Sequence, residues 1–208
     1  MIRTRRSRGD LAVVQQCAGR LLSYPDEQLY TQLPLLGEAL GGVRGGPAAT
    51  LRGFLGHVRA TPRAELAAHY VRVFDFKNRR SLYLTWWTEG DTRRRGLALV
   101  RLKETYRAHG LDWAGSGELP DFLPAVLEFS ALAGTDALLR EYRPALELLR
   151  LSLGDGGTPY AAVLEAVCAT LPGASPRDRA AARAMARRGP PREEVGLEPF
   201  GPPTGAPR

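Results

Sequence analysis

The stretch richest in recognition chemistry is Trp86 to Gly96, WWTEGDTRRRG, which sets two indoles, an acidic turn and three consecutive arginines side by side. Arginines beside aromatics suit phosphate or nucleic acid, a solvated helix start, or a surface that holds another protein. Catalysis finds less to work with. His57, His69 and His109 fall in separate segments, without the H-E-x-x-H spacing that turns two imidazoles toward one metal. Cys17 and Cys168 are the only cysteines and form no C-x-x-C pair, which argues against a zinc ribbon or disulfide scaffold and suits a reducing cytoplasm. No G-x-S-x-G, Walker loop or dinucleotide fingerprint occurs, and Gly41-Gly42 and Gly45-Gly46 follow no strand. Glu118, Asp121 and Glu128 make a carboxylate group, but nothing beside them divides acid from base. The residues point to no catalytic centre, no metal and no cofactor.

The three arginines are not equivalent. In GDTRRRGLALVRLKETYRAHG, 90–110, Asp91 is the expected N-cap of a helix that ends near Gly110. At about 100° per residue, Arg95 shares a face with Ala98, Leu99, Leu102 and Tyr106, whereas Arg93 and Arg94 point elsewhere. Cations at a helix N-terminus oppose its dipole, so local helix physics does not explain them. Arg95 is expected to pair with a carboxylate at the core edge, from among Glu118, Asp121 and Glu128. Arg93 and Arg94 are left to solvent or to a partner. Phosphate capture is disfavoured because Asp91 occupies the anion position.

The second dense block is GELPDFLPAVLEFSALAG, 117–134. Phe122, Val126, Phe129 and Ala133 make one apolar face, Leu123 and Leu127 widen it, and Asp121 and Glu128 fall on the narrow polar stripe that remains. Such a helix serves as central core packing or as one wall of a groove. Carboxylates beside apolar pockets suit a peptide that is both basic and hydrophobic.

The elements that must position these residues read as helical throughout. Asp10 is the expected N-cap of a helix to about Leu22, and a second helix with Leu29, Leu33, Leu36 and Leu40 follows, bent at Pro34. GGVRGGP, 41–47, reads as a loop before a short helix with Leu51, Phe54, Leu55 and Val58. Thr61-Pro62 reads as N-cap and first-turn proline of a helix with Leu66, Tyr70 and Val73. Residues 75–80 read as a polar connector. LYLTWW suits strand or helix, and helix is preferred because no partner strand is evident. Further helices are expected from Asp121 to Ala133 with Gly134 as stop and Thr135 capping the next, over 136–153 about a kink at Pro144, and from Thr158-Pro159, ending before Pro172. Ser175 to Asp178 has capping-box spacing and opens a last basic helix. The organisation is therefore a basic flexible N-terminus at 1–9, one all-α bundle at 10–188, and a Pro/Gly-rich disordered tail at 189–208.

Charge placement bears on partners. The net +7 resides in the ends: residues 1–9 and 172–208 are basic, and 10–171 carry as many acids as bases. A nucleic-acid binder shows its footprint on the folded domain, so a helical DNA-binding regulator is the weaker alternative. Asp10 and Gln15-Gln16 interrupt the first apolar run, which disfavours a signal peptide, and no run is long enough to span a bilayer.

Tyr70-x-x-x-Phe74-Asp75, SLYLTWWTEGDTRRRGLAL and ELPDFLPAVLEF, in that order and spacing, resemble the NarJ-type nitrate reductase assembly chaperones of the TorD-like molybdoenzyme chaperone group. Weaker correspondence at LLSYP, 21–25, and TPYAAVLEAV, 158–167, extends the resemblance over most of the chain. It implies a cytoplasmic, all-α, single-domain helical bundle without enzymatic activity. Such chaperones bind the N-terminal segment of the nitrate reductase catalytic (alpha) subunit. They hold it competent for molybdenum cofactor insertion before membrane attachment and engage the insertion machinery. The resemblance implies no cofactor of the chaperone's own, no nucleic acid and no membrane insertion, and leaves a related molybdoenzyme as an alternative client. The client groove is expected at Tyr83, Trp86, Glu118, Asp121, Phe122, Val126 and Glu128, framed by Asp91, Arg95, Gly96 and Pro120. The wider group's E-P-x-D-H becomes Glu118-Leu119-Pro120-Asp121-Phe122 here, with the proline shifted and no histidine.

Overall fold

A computed structural model describes residues 7–75, 80–90, 92–113 and 117–188. Among them run eleven helices: α1 (Arg8–Leu22), α2 (Glu27–Gly42), α3 (Gly46–Ala60), α4 (Arg63–Phe74), α5 (Leu84–Glu89), α6 (Arg93–Ala108), α7 (Leu123–Ala133), α8 (Ala137–Glu141), α9 (Arg143–Asp155), α10 (Ala161–Cys168) and α11 (Arg179–Arg188). None of these helices is long and apolar enough to cross a membrane.

Apolar periodicity located the helices, and capping chemistry moved several of their ends. Asp10 does not cap α1. Ser7 does, with Asp10 as the reciprocal third residue of a capping box, so residues 8–9 are already helical rather than part of a flexible terminus. The 41–47 loop shrinks to 43–45 because α2 continues to Gly42 and α3 starts at Gly46 with Pro47 in its first turn. Thr61 caps nothing downstream. Its hydroxyl donates to the His57 carbonyl and closes α3, and Pro62 stands at the α4 N-cap. Pro144 does not kink a continuous helix but separates α8 from α9, where it fits the first turn because it has no N–H to lose. The last helix is capped by Asp178, which accepts from Ala181 N–H at 2.8 Å, while Ser175 turns away to another partner. Gly134 ends α7 in the left-handed conformation, as read. Residues 1–6, most of the 75–80 connector, and the 189–208 tail lie outside the described residues.

The core gathers around α1, which packs on α7, α10, α2 and α3. Tyr160, 1% exposed, is its aromatic hub, with the Phe54 and Phe74 rings each at 5.0 Å and that of Tyr70 at 5.9 Å. Tyr70 satisfies its hydroxyl on the Leu22 carbonyl at 3.1 Å, so its ring enters the hub without an orphaned donor. α1 reaches α7 closely enough that a Cβ on Gly19 would stand 2.9 Å from the Pro124 carbonyl oxygen. Backbone cannot yield as a flexible side chain does. Gly19→Ala is therefore expected to destabilise by about 1–3 kcal/mol despite alanine's better helix propensity, visible as a lowered urea midpoint with unchanged m.

Candidate functional site

α5 and α7 are entered by two segments that pair for a single step. Tyr83 and Phe122 form an isolated antiparallel bridge, with Leu84 N–H donating to the Asp121 carbonyl at 3.0 Å and Leu123 N–H to the Leu82 carbonyl at 2.8 Å. LYLTWW is thus a one-residue bridge followed by a short helix, which explains why its pattern suited both. The pairing brings the Tyr83 and Phe122 rings to 5.5 Å.

Asp121 lies behind this bridge with no solvent exposure. Its Oδ2 accepts from Thr85 N–H at 3.1 Å and from the Thr85 hydroxyl. That hydroxyl in turn accepts from Arg95 Nε at 3.1 Å, and Arg95 Nη2 stands 3.9 Å from the same carboxylate oxygen. Arg95 therefore turns inward to Asp121, with Thr85 relaying the contact and tying α5, α6 and the entry to α7 together. The Arg95 guanidinium also lies 5.8 Å from the Tyr83 ring centroid. Of the three candidate carboxylates only Asp121 serves Arg95.

In front of the bridge the surface is aromatic and acidic. Tyr83 donates its hydroxyl to Glu118 Oε2 at 2.7 Å, and burial followed by this carboxylate raises the phenol's pKa well above its ordinary value. Trp113 donates its indole N–H to the Glu118 carbonyl at 3.2 Å, and Tyr106 donates to that of Pro120 at 2.6 Å, so the ELPD turn is held from below. Tyr83, Trp86 and Phe122 are half-buried, Glu118 and Glu128 are exposed, and Leu119 is 40% exposed. Pro120 is buried and Gly96 exposed.

Two members of the expected groove do not face it. Asp121 and Val126 are both wholly buried, so in this conformation neither can line a peptide surface. The reason is register: α7 begins at Leu123, so Asp121 precedes the helix and the bridge, not helical phase, directs its side chain. Val126 is on the apolar face, and that face is packed rather than open. Glu128 stays exposed, and no hydrogen bond joins it to the Glu118 turn among the described residues. Asp91 lies outside the described residues. Thr92 holds the N-cap position of α6, and its hydroxyl goes to the Glu89 carbonyl rather than to the helix. Sequence reasoning missed Thr85, Trp113 and Leu119. Only Thr85 left a signal, as the one polar residue inside an apolar run.

Among the described residues, no three His, Cys, Asp or Glu side chains converge as a metal site. Burial pushes the Cys17 thiol up to about 11, and that of Cys168 higher still, the opposite of an activated nucleophile.

The sequence pattern of the nitrate reductase delta subunit family matches residues 40–165. The chain belongs to that family. This delta-family chain is 35% identical over 158 residues to a nitrate reductase molybdenum cofactor assembly chaperone, NarJ, of Bacillus subtilis, a match that covers 73% of it and 84% of that protein. It is 41% identical over 162 residues to the nitrate reductase-like protein NarX of Mycobacterium tuberculosis, covering 76% of this chain but 24% of NarX, so it spans about a quarter of that relative. A solved structure from Archaeoglobus fulgidus, described as a redox enzyme maturation protein, superimposes with a TM-score of 0.59 at 21% identity. The match covers 83% of this chain and 98% of that one, and establishes the all-helical fold.

Proposed function

We propose that this delta-family chain is a cytoplasmic assembly chaperone, without catalytic activity or a cofactor of its own. Its client is the catalytic subunit of a nitrate reductase or a closely related molybdoenzyme, held through an N-terminal segment until molybdenum cofactor insertion is complete. The observation that carries this reading is the match to NarJ over 84% of that chaperone's length. The surface in front of the Tyr83–Phe122 bridge supports the mode of binding. Half-buried rings of Tyr83, Trp86 and Phe122 supply apolar contact at little conformational cost, and Glu118 and Glu128 attract a basic segment. Asp121 and Val126 act behind this surface and set its shape.

Titration calorimetry of the full chain with a synthetic peptide of the client's N-terminal segment tests the reading. Saturable binding is expected. Glu118→Gln with Glu128→Gln is expected to weaken it about five- to ten-fold at low salt, because exposed acids act mainly by steering. Phe122→Ala is expected to cost about thirty-fold or more, as loss of a central aromatic does. A folded chain that ignores the peptide, or a peptide affinity unmoved by all three changes, sinks the site.

A further inference from the structure

α6 carries six basic residues against one acid, Glu104, within a neutral folded domain. One face is spent on the core through Ala98, Leu102 and Tyr106, with Arg95 turned in to Asp121. The opposite face has no such duty. Arg93, Leu97, Val100 and Arg107 fall within an arc of about 80° on a 3.6-residue helix, Glu104 among them, with Arg94 and Arg101 along one flank. Leu97 is 68% exposed and Val100 53% exposed, an aliphatic ridge set between cations. Among the described residues, no ion pair engages Arg93, Arg94, Arg101 or Arg107.

We propose that this outer face of α6 is a docking surface for an anionic lipid bilayer. Three features select that occupant. The face is convex, the outside of a helix about 24 Å long, so it cannot enclose a peptide but can lie along a plane. Insertion into a partner's groove needs apolar anchors at i, i+3 and i+7, and here the third position is Glu104. Cations flanking a short aliphatic ridge match the boundary between headgroups and acyl chains, where arginines reach up to phosphate while Leu97 and Val100 enter the edge of the hydrocarbon. Two aliphatic side chains give shallow, reversible attachment and not insertion. The expected strength comes chiefly from charge, with each arginine near an anionic leaflet strengthening binding about five-fold. Such contact would hold a chaperone and its client beside the membrane, a role beyond capture of the client segment.

Flotation of the full chain with vesicles of phosphatidylcholine, with and without phosphatidylglycerol, tests the proposal. Binding is expected only to the anionic vesicles, and to fall steeply between about 50 and about 300 mM salt. Arg93→Gln/Arg94→Gln/Arg101→Gln is expected to weaken it by about a hundred-fold. Leu97→Gln/Val100→Gln is expected to weaken it about ten-fold. All five positions are surface sites outside the peptide surface, so circular dichroism and client-peptide titration should match the parent chain. Absence of binding to anionic vesicles overturns the proposal. So does binding that survives both α6 variants, which would assign it to the arginines at the chain ends. Equally tight binding to duplex DNA or polyglutamate, indifferent to Leu97 and Val100, would replace the bilayer by an acidic polymer.

Discussion

Glu147→Ala is expected to destabilise the fold by about 3–5 kcal/mol, because it strands charge inside the protein. Glu147 has no solvent exposure. It accepts from Arg150 Nε at 2.7 Å, from the Ser175 hydroxyl at 2.7 Å and from Arg143 Nη2 at 3.5 Å. The two arginines continue outward, Arg143 to the Gly173 carbonyl at 3.0 Å and Arg150 to that of Pro176 at 2.7 Å. One carboxylate thus fixes the 173–176 turn, and with it α11, against α9. Without it Arg143, only 8% exposed, keeps a positive charge with no counter-charge. Against a stability of about 5–15 kcal/mol, that loss is a large share, and in a chain of this size it lowers Tm by roughly 6–20 °C. Glu147→Gln retains an acceptor and is expected to cost less. Arg143→Leu/Glu147→Leu, which removes a charge from each side, should recover part of the loss. Differential scanning calorimetry of the three variants checks the order. Hydrogen exchange should place the earliest loss of protection in α11. A Glu147→Ala variant within 1 kcal/mol of the parent would mean that the buried network contributes little (about the worth of an exposed pair).

This network was legible only in part. Arg143, Glu147 and Arg150 stand at i, i+4 and i+7 along RPALELLRLSL, a charged stripe beside an apolar face, which marks a helix with internal ion pairs. Nothing in that spacing says the stripe is buried, because the covering residues come from a turn 26 to 30 positions on. The same division holds elsewhere. The faces of α3 and α7 followed from apolar periodicity because burial on one side imposes a 3.6-residue repeat on the chain. Helix starts followed poorly, since Ser, Thr and Asp cluster before helices and any of them can cap; Ser7 prevailed over Asp10, and Asp178 over Ser175. At the candidate site Tyr83, Phe122 and Glu118 meet as neighbours, and Arg95 faces Asp121 in line with its phase with Leu99 and Leu102. What sequence could not supply was the Tyr83–Phe122 bridge, a pairing between segments 39 residues apart that leaves no periodicity. That bridge, and not helix phase, decides which way Asp121 faces.

The consequence for Asp121 is sharp enough to test. Asp121→Ala is expected to cost about 3 kcal/mol, less than Glu147→Ala, because Arg95 is 21% exposed and can turn to water once its partner is gone. What cannot be rescued is Thr85, fully buried, whose N–H and hydroxyl both lose their acceptor. Asp121→Asn keeps an acceptor for Thr85 and loses the charge facing Arg95, so about 1–2 kcal/mol is expected. A cycle with Arg95→Met separates the two contributions: the coupling of Arg95 to Asp121 should be about 1 kcal/mol, since the hydroxyl of Thr85 stands between them. Loosening of α5 should also shift Trp86 and Trp87 fluorescence to longer wavelength before global unfolding in urea. The client peptide then distinguishes a positioning residue from a contact residue. If Asp121 only shapes the surface, Asp121→Asn binds peptide within about three-fold of the parent at temperatures where it is fully folded, while Phe122→Ala does not. A folded Asp121→Asn chain that loses the peptide as completely as Phe122→Ala would put the carboxylate in contact with the client, and would require the Tyr83–Phe122 bridge to open when the peptide binds.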